Sequence, residues 1–120
     1  MISAELWELI SFFEVEPTFP HPEDPWPYTV AIFTARPDGA TVEFEIMPSY
    51  GDVAISIRRE NEFEYEFSAL QLSDVCCSNN GDGETLELQL SPNHSVFLRL
   101  RPSISIKHQR TGTRESQIGT

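Results

Sequence analysis

The sequence predicts an α+β fold in which an N-terminal amphipathic helix packs on a bent antiparallel β-meander of about six to seven strands, with a barrel-like roll as the variant. Apolar residues recur at helical spacing only within residues 1–16. From residue 28 they alternate with polar residues, as in strands with one buried face. A chain of 120 residues, 39% of them hydrophobic, can bury one core, so we predict a single globular domain over residues 1–107 and a polar, flexible tail over residues 108–120.

The helix is predicted over residues 1–16, with Ser3 as its N-cap. Its apolar stripe has five members, Ile2, Leu6, Leu9, Ile10 and Phe13, and is widened by Trp7 and Phe12. Pro17 disfavours helical geometry in the residue before it, so the helix must end by residue 16. The pattern leaves open which face of the sheet this helix covers.

Residues 17–27 contain five of the nine prolines, together with Phe19, His21 and Trp26. This composition favours an extended, polyproline-like segment that loses little entropy on docking. Two interpretations follow: a stiff connector along the sheet edge with its rings packed inward, or a loop that binds a partner.

Strands are predicted near residues 28–35, 41–47, 53–58, 62–68, 70–77, 84–91 and 95–101, with a further one near 103–107. Three loops, residues 37–39, 59–61 and 92–94, have the composition of tight hairpin turns. Residues opposite one another in a sheet share a face, which sets the expected register. The expected apolar pairs are Thr34–Val42, Ile32–Phe44 and Val30–Ile46, then Ile57–Phe63, Ile55–Tyr65 and Val53–Phe67, and finally Leu90–Val96, Leu88–Leu98 and Leu86–Leu100.

The same register sets the pairs on the outer face: Arg58–Glu62, Ser56–Glu64, Ala54–Glu66 and Glu87–Arg99. It also places Phe33 and Phe97 on that face, which implies either that the helix covers part of it or that the sheet curls.

Residues 62–67 alternate three carboxylates with three aromatic rings, so a strand here has one acidic and one apolar face. The predicted acidic face combines this strand with its neighbours: Glu43, Glu45, Glu62, Glu64, Glu66 and Glu87. Such a row either only solubilises the sheet and discourages aggregation, or it forms an anionic surface that receives Lys and Arg from a partner. The candidate partner-binding residues are Glu43, Glu45, Glu62, Glu64 and Glu66, with Trp26 as an aromatic anchor.

The net charge of −11 limits the classes of partner, and residues 1–35 contain no Lys or Arg. Phosphate backbones and anionic membranes would repel such a surface, so neither nucleic acid nor membrane is an expected partner, whereas a basic protein is. The chain has no apolar run long enough for a bilayer and no basic N-terminal leader. The adjacent pair Cys76 and Cys77 suits a reducing compartment, and we expect a cytoplasmic protein.

No catalytic, metal or cofactor-binding pattern is evident. His21, His94 and His108 lie far apart in the sequence, and Cys76 and Cys77 lack the spacing of a redox or zinc motif. The segment 82–84 lacks the ligand spacing of a calcium loop.

These observations favour a non-catalytic acidic protein that binds a basic protein partner. In size, acidity and single-domain organisation the chain resembles, in general character, immunity proteins that neutralise nuclease-type toxins. Two alternatives remain open: a ligand-binding or enzymatic domain with a pocket between helix and sheet, and a structural protein that forms a homodimer through a strand edge or through Phe33 and Phe97.

Overall fold

The computed structural model describes residues 2–59, 63–79 and 83–110, without the side chains of residues 38, 63 and 64. These parts contain one helix and eight strands, in this order: α1 (Leu6–Phe13), β1 (Ala31–Ala35), β2 (Ala40–Met47), β3 (Asp52–Arg59), β4 (Phe63–Ala69), β5 (Asp74–Asn79), β6 (Glu84–Ser91), β7 (His94–Arg99) and β8 (Ser105–Arg110). The class is α+β as predicted, with a larger share of strand than of helix. β8 reaches residue 110, and the remainder of the predicted tail lies outside the described residues.

The strands form two four-stranded antiparallel sheets, β1-β2-β3-β4 and β5-β6-β7-β8, where we had predicted one meander of six to seven strands. The chain changes sheets at residues 70–73, which we had placed inside a strand. There the backbone N–H of Leu72 donates to the carbonyl of Gly51 (2.8 Å), and that of Ser73 donates to the carbonyl of Gln89 (2.8 Å). Because these groups bond to other segments, they are not available for pairing β4 with β5.

The register of the first hairpin differs by one residue from the prediction. Phe33 lies opposite Phe44 in place of Ile32. Residues 37–39 form a 3-10 turn and not a tight hairpin loop, which lengthens the connection. A one-residue shift moves every side chain of β1 to the other face. Phe33 is therefore buried in the core and cannot be a dimer contact, contrary to our expectation.

The other two hairpins are shifted by two residues, which preserves the faces. Ile55 lies opposite Phe67 and Arg58 opposite Glu64, not Glu62. The predicted loop at residues 59–61 lies mostly outside the described residues. In the third hairpin Leu88 pairs with Val96, and a register shift between Gln89 and Ser91 absorbs one residue. As a result Glu87 lies opposite Phe97, and Arg99 is not its cross-strand neighbour.

The helix is shorter than the 16 residues predicted, because its ends are fixed by other groups. Glu5 is the N-cap and forms a capping box with Glu8, so Ser3 is not the cap. Ser3 instead bonds through its backbone N–H and its hydroxyl to the carboxylate of Asp74 (2.6 and 2.8 Å). At the other end Glu14 has a left-handed backbone (φ 59°) and donates its N–H to the carbonyl of Ile10.

The core contains buried side chains from the helix and from both sheets. The ring of Phe13 lies 5.2 Å from that of Phe33 and 5.1 Å from that of Phe44, centroid to centroid. β4 and β8, the last strands of the two sheets, are linked by the Tyr65 hydroxyl and Nε2 of His108, 3.3 Å apart. No helix in the described part of the chain has the length and apolarity that a bilayer crossing requires.

The proline-rich segment lies along the β1 edge of the first sheet. Thr18 forms an isolated antiparallel bridge with Ile32, and the backbone N–H of Ser49 donates to the carbonyl of Pro27 (3.1 Å). Phe19 and Trp26 are half-buried and pack against the core. These contacts support the interpretation of the segment as a connector that covers a sheet edge.

Candidate functional site

Three of the predicted acidic residues, Glu43, Glu45 and Glu66, meet in an open concavity of about 430 Å³ on the outer face of the first sheet. The register explains why they meet: Ser56 of β3 lies opposite Glu43 of β2 on one side and Glu66 of β4 on the other. We call this concavity the acidic groove, and its lining comprises Glu43, Glu45, Ala54, Ile55, Ser56, Glu66, Phe67 and Ser68.

The groove results from the sizes of the side chains on three adjacent strands. The central strand contributes small residues, Ala54 and Ser56, to the outer face, while its neighbours contribute exposed glutamates. Two strand spacings separate the Cα atoms of Glu43 and Glu66 by about 10 Å, and the alternation along β2 separates Glu43 from Glu45 by about 7 Å. An extended segment could therefore lie above β3 with carboxylates on both sides.

The field in the groove is negative. Among the described residues, none of its lining side chains is Lys, Arg or His. Two carboxylates 7 Å apart in water repel one another by only about 0.6 kcal/mol, which a folded domain tolerates. Arg58 lies two positions beyond Ser56 on β3 and opposite Glu64 in the register, so positive charge begins just beyond this end of the groove.

The structure brings together three of the six predicted site residues: Glu43, Glu45 and Glu66, all exposed. Glu64 has its backbone in β4, but its side chain lies outside the described residues, as does all of Glu62. Our expectation that Glu64 faces Ser56 is wrong, since Glu66 occupies that position. Trp26 does not line the groove and is half-buried in the proline-rich connector.

Glu87, which we had assigned to the same acidic face, belongs to the second sheet and has local partners. Its carboxylate accepts a hydrogen bond from the Ser95 hydroxyl (2.7 Å) and a longer one from the Cys76 thiol (3.7 Å). It is thus a structural acceptor between β5, β6 and β7.

The two cysteines are poor nucleophiles. Burial, reinforced by Glu87 and Asp74, raises the pKa of Cys76 to about 11. Burial, reinforced by Glu8 and other charges, raises the pKa of Cys77 to about 12. Both thiols are therefore protonated at neutral pH. Within the described residues, no group of three or more His, Cys, Asp or Glu side chains could hold a metal ion.

The hypothesis of a ligand pocket between helix and sheet can be examined at the C-terminal end of α1. A concavity of about 420 Å³ there is lined by six apolar residues, Phe13 among them, and by three charged ones, which include Glu14 and Arg101. These two side chains are already paired with one another, at 3.2 Å. Leu9 and Phe12 are fully buried, so the inner face of the helix packs directly on the core. Arg101 also donates to the carbonyl of Phe12, so two of the three charged side chains of this concavity already bond to groups of the fold.

Trp7 is an exposed aromatic residue that we had not predicted to be at the surface. We had assigned Trp7 to the widened apolar stripe of the helix, but its side chain is 68% exposed. The position of Trp7 in the sequence already indicated its exposure. Trp7 and Ser11 are one helical turn apart, on a face of the helix that also includes Glu8 and excludes the buried Leu9.

The fold has a solved counterpart. A chain in the structure described as "Contact-dependent growth inhibition toxin - immunity protein complex from Klebsiella pneumoniae 342" superposes with a TM-score of 0.73 and 25% sequence identity, over 92% of this chain and 96% of that chain. No protein-family model matches the sequence, and no curated protein matches it. The similarity covers nearly the whole of both chains, so the whole domain is shared and not one motif.

Proposed function

We propose that this chain is a non-catalytic immunity protein, which binds and neutralises a basic toxin domain. The observation that carries the proposal is the structural similarity, over almost the full length of both chains, to a chain of a toxin–immunity protein complex. It supports an immunity-protein-like binding role with a protein as the partner.

The charge of the chain favours the immunity role over the toxin role. Nucleases and other proteins that act on nucleic acid need Lys and Arg to contact phosphates. A chain with a net charge of −11 is poorly suited to that task but complements a protein that performs it. An acidic inhibitor can also speed its own association with a basic toxin, because opposite charges steer the encounter.

The acidic groove is the surface we propose for this contact. Glu43 and Glu45 on one side and Glu66 on the other would receive Lys or Arg side chains from a toxin segment that lies along β3. The Cα framework is held by the ladders of β2, β3 and β4, so the carboxylates are presented without a change in backbone.

The test expresses the genes that flank the gene of this chain one at a time, and the product that stops the growth of a bacterial host is taken as the toxin. Absence of any such product would contradict the proposal. Co-expression in a bacterial host should restore growth, and the purified proteins should bind, with an affinity that falls steeply between about 50 mM and about 500 mM salt. The triple variant Glu43→Gln/Glu45→Gln/Glu66→Gln should raise the Kd at least about tenfold, mainly through slower association.

A matched control separates local contacts from total charge. The variant Glu16→Gln/Glu23→Gln/Asp24→Asn also removes three exposed negative charges, but at positions outside the groove. It should leave the Kd within about a factor of two to three. Equal increases of the Kd in the two variants would rule out the acidic groove as the contact surface. Failure of the wild-type chain to bind the toxin or to protect the host would overturn the proposed function itself.

A further inference from the structure

Trp7, on the exposed side of α1, lies beside two carboxylates, Glu8 of the helix and Glu84 of β6. Trp7 is 68% exposed, whereas Leu9, Phe12 and Phe13 on the inner face are buried. Large exposed aromatic side chains are frequent at the centres of protein interfaces, where they contribute much of the binding free energy.

Trp7 borders a concavity of about 210 Å³ between the helix and the second sheet. We call it the Trp7 site, and its lining comprises Trp7, Glu8, Ser11, Cys77, Ser78, Asn79 and Glu84. It is separate from the acidic groove, with which it shares no lining residue.

Both carboxylates of the Trp7 site are held in place by the fold. The Ser11 hydroxyl donates to Oε2 of Glu84 (3.2 Å), which ties the helix to β6. Oε1 of Glu8 accepts the backbone N–H of Glu5 (2.8 Å) as part of the capping box. Because local bonds fix these side chains, little side-chain entropy remains to be lost when a ligand binds.

The field of both carboxylates extends across the site. Besides burial, the negative charges of Glu8 and Glu84 are the next causes that raise the pKa of the lining residue Cys77 to about 12. No described lining residue is Lys, Arg or His. The chemistry of the site is therefore an aromatic face beside concentrated negative charge.

We propose that the Trp7 site receives one arginine side chain of the basic toxin, as a second docking point beside the acidic groove; this rests on the proposed function. A guanidinium group stacks on an indole face through a cation–π contact and donates hydrogen bonds to carboxylates in its plane. The cavity is smaller than the 300–1,000 Å³ or so of small-molecule sites, which suits a single long side chain better than a separate ligand.

Binding of the purified chain to the toxin identified in that growth assay tests this inference. Trp7→Ala should raise the Kd at least about tenfold, and Trp7→Phe should raise it less, since a weaker aromatic face remains. Glu84→Gln should also raise the Kd, by about three- to tenfold. Tyr50→Ala is the matched control, because Tyr50 is 66% exposed and lies outside the Trp7 site; its Kd should stay within about twofold of wild type.

A fluorescence measurement keeps Trp7 itself in the protein. In Trp26→Phe, Trp7 is the remaining tryptophan of the chain, and its emission should change when the toxin domain binds at saturating concentration. If the toxin domain contains tryptophans of its own, the emission of the two separate proteins is subtracted from that of the mixture. Unchanged Trp7 emission, or equal Kd values for Trp7→Ala and Tyr50→Ala while the wild type binds tightly, would overturn the Trp7 site alone. Absence of wild-type binding would overturn the proposed function and the site with it.

Discussion

Arg101 stabilises the C-terminal end of the helix, and its replacement by Ala should destabilise the fold measurably. Its Nη2 donates to the carbonyl of Phe12 (2.7 Å), and its Nε lies 3.2 Å from Oε2 of Glu14. The Phe12 carbonyl is among the last four of the helix, which lack a partner within it. An eight-residue helix is not stable alone, so its ends depend on such contacts.

The magnitude follows from the two bonds. A hydrogen bond to a charged group contributes about 1.5–3 kcal/mol, and the 39% exposure of the Arg101 side chain places this one at the lower end. The exposed ion pair adds at most about 1 kcal/mol. Arg101→Ala should therefore lower the free energy of unfolding by about 2 kcal/mol, or the Tm by about 6–10 °C.

Chemical denaturation followed by circular dichroism measures this difference, with two variants that separate the contributions. Glu14→Gln removes the ion pair but leaves the bond to Phe12, and should cost less than about 0.5 kcal/mol. Arg36→Ala removes an exposed arginine of the same concavity and should cost no more than that. If Glu14→Gln were as destabilising as Arg101→Ala, the carbonyl bond could not be the main contribution.

Further predictions concern Gly51, which bonds to the segment that connects the two sheets, and the two cysteine thiols. Gly51→Ala should lower the free energy of unfolding by about 2 kcal/mol or more, because φ is +75° and the new Cβ would lie 3.0 Å from the carbonyl oxygen of Leu72. Gly39 has a similar φ of +74° but open space around it. Gly39→Ala should therefore lower the free energy of unfolding by only about 1 kcal/mol in the same denaturation assay. In the folded chain the pKa values of Cys76 and Cys77 are raised above the ordinary value near 9. As the pH rises above about 9, the unfolded chain therefore releases these protons first, and the free energy of unfolding should fall. At about pH 8, alkylation of the native thiols should be at least about tenfold slower than that of free cysteine.

The sequence pattern predicted which strand residues are buried better than it predicted how the strands pair. In β2, β3 and β6 the apolar positions of the alternation are the buried ones, because the two-residue periodicity is a local property. Register depends in addition on the conformation of each turn. A shift of two residues, as in the later hairpins, keeps the faces, whereas the single-residue shift before β2 inverted β1. The prediction that Phe33 lies on the outer face followed from that error in register.

The division into two sheets depends on contacts between residues far apart in the sequence. Ser3 reaches Asp74, Ser11 reaches Glu84, and Arg101 reaches Phe12, and nothing in the local pattern marks these pairs. The candidate site shows the same limit. Alternation predicted an acidic face, but only the register shows which carboxylates lie on opposite sides of β3. Likewise, the exposure of Trp7 depends on how the helix packs against the two sheets, which the helical periodicity does not show.

The acidic groove should oppose stability and favour binding, and this opposition distinguishes a binding surface from a merely solubilising one. Mutual repulsion among Glu43, Glu45 and Glu66, at separations of about 7–12 Å, amounts to about 1 kcal/mol at low salt. Glu43→Gln/Glu45→Gln/Glu66→Gln should therefore unfold at a slightly higher denaturant concentration than wild type, and the gain should shrink as salt screens the charges. Solubilising carboxylates would show this gain alone. Carboxylates that contact a basic toxin would show it together with weaker binding, so the two measurements on one variant separate the interpretations, and a loss of stability at low salt would contradict the geometry of the groove.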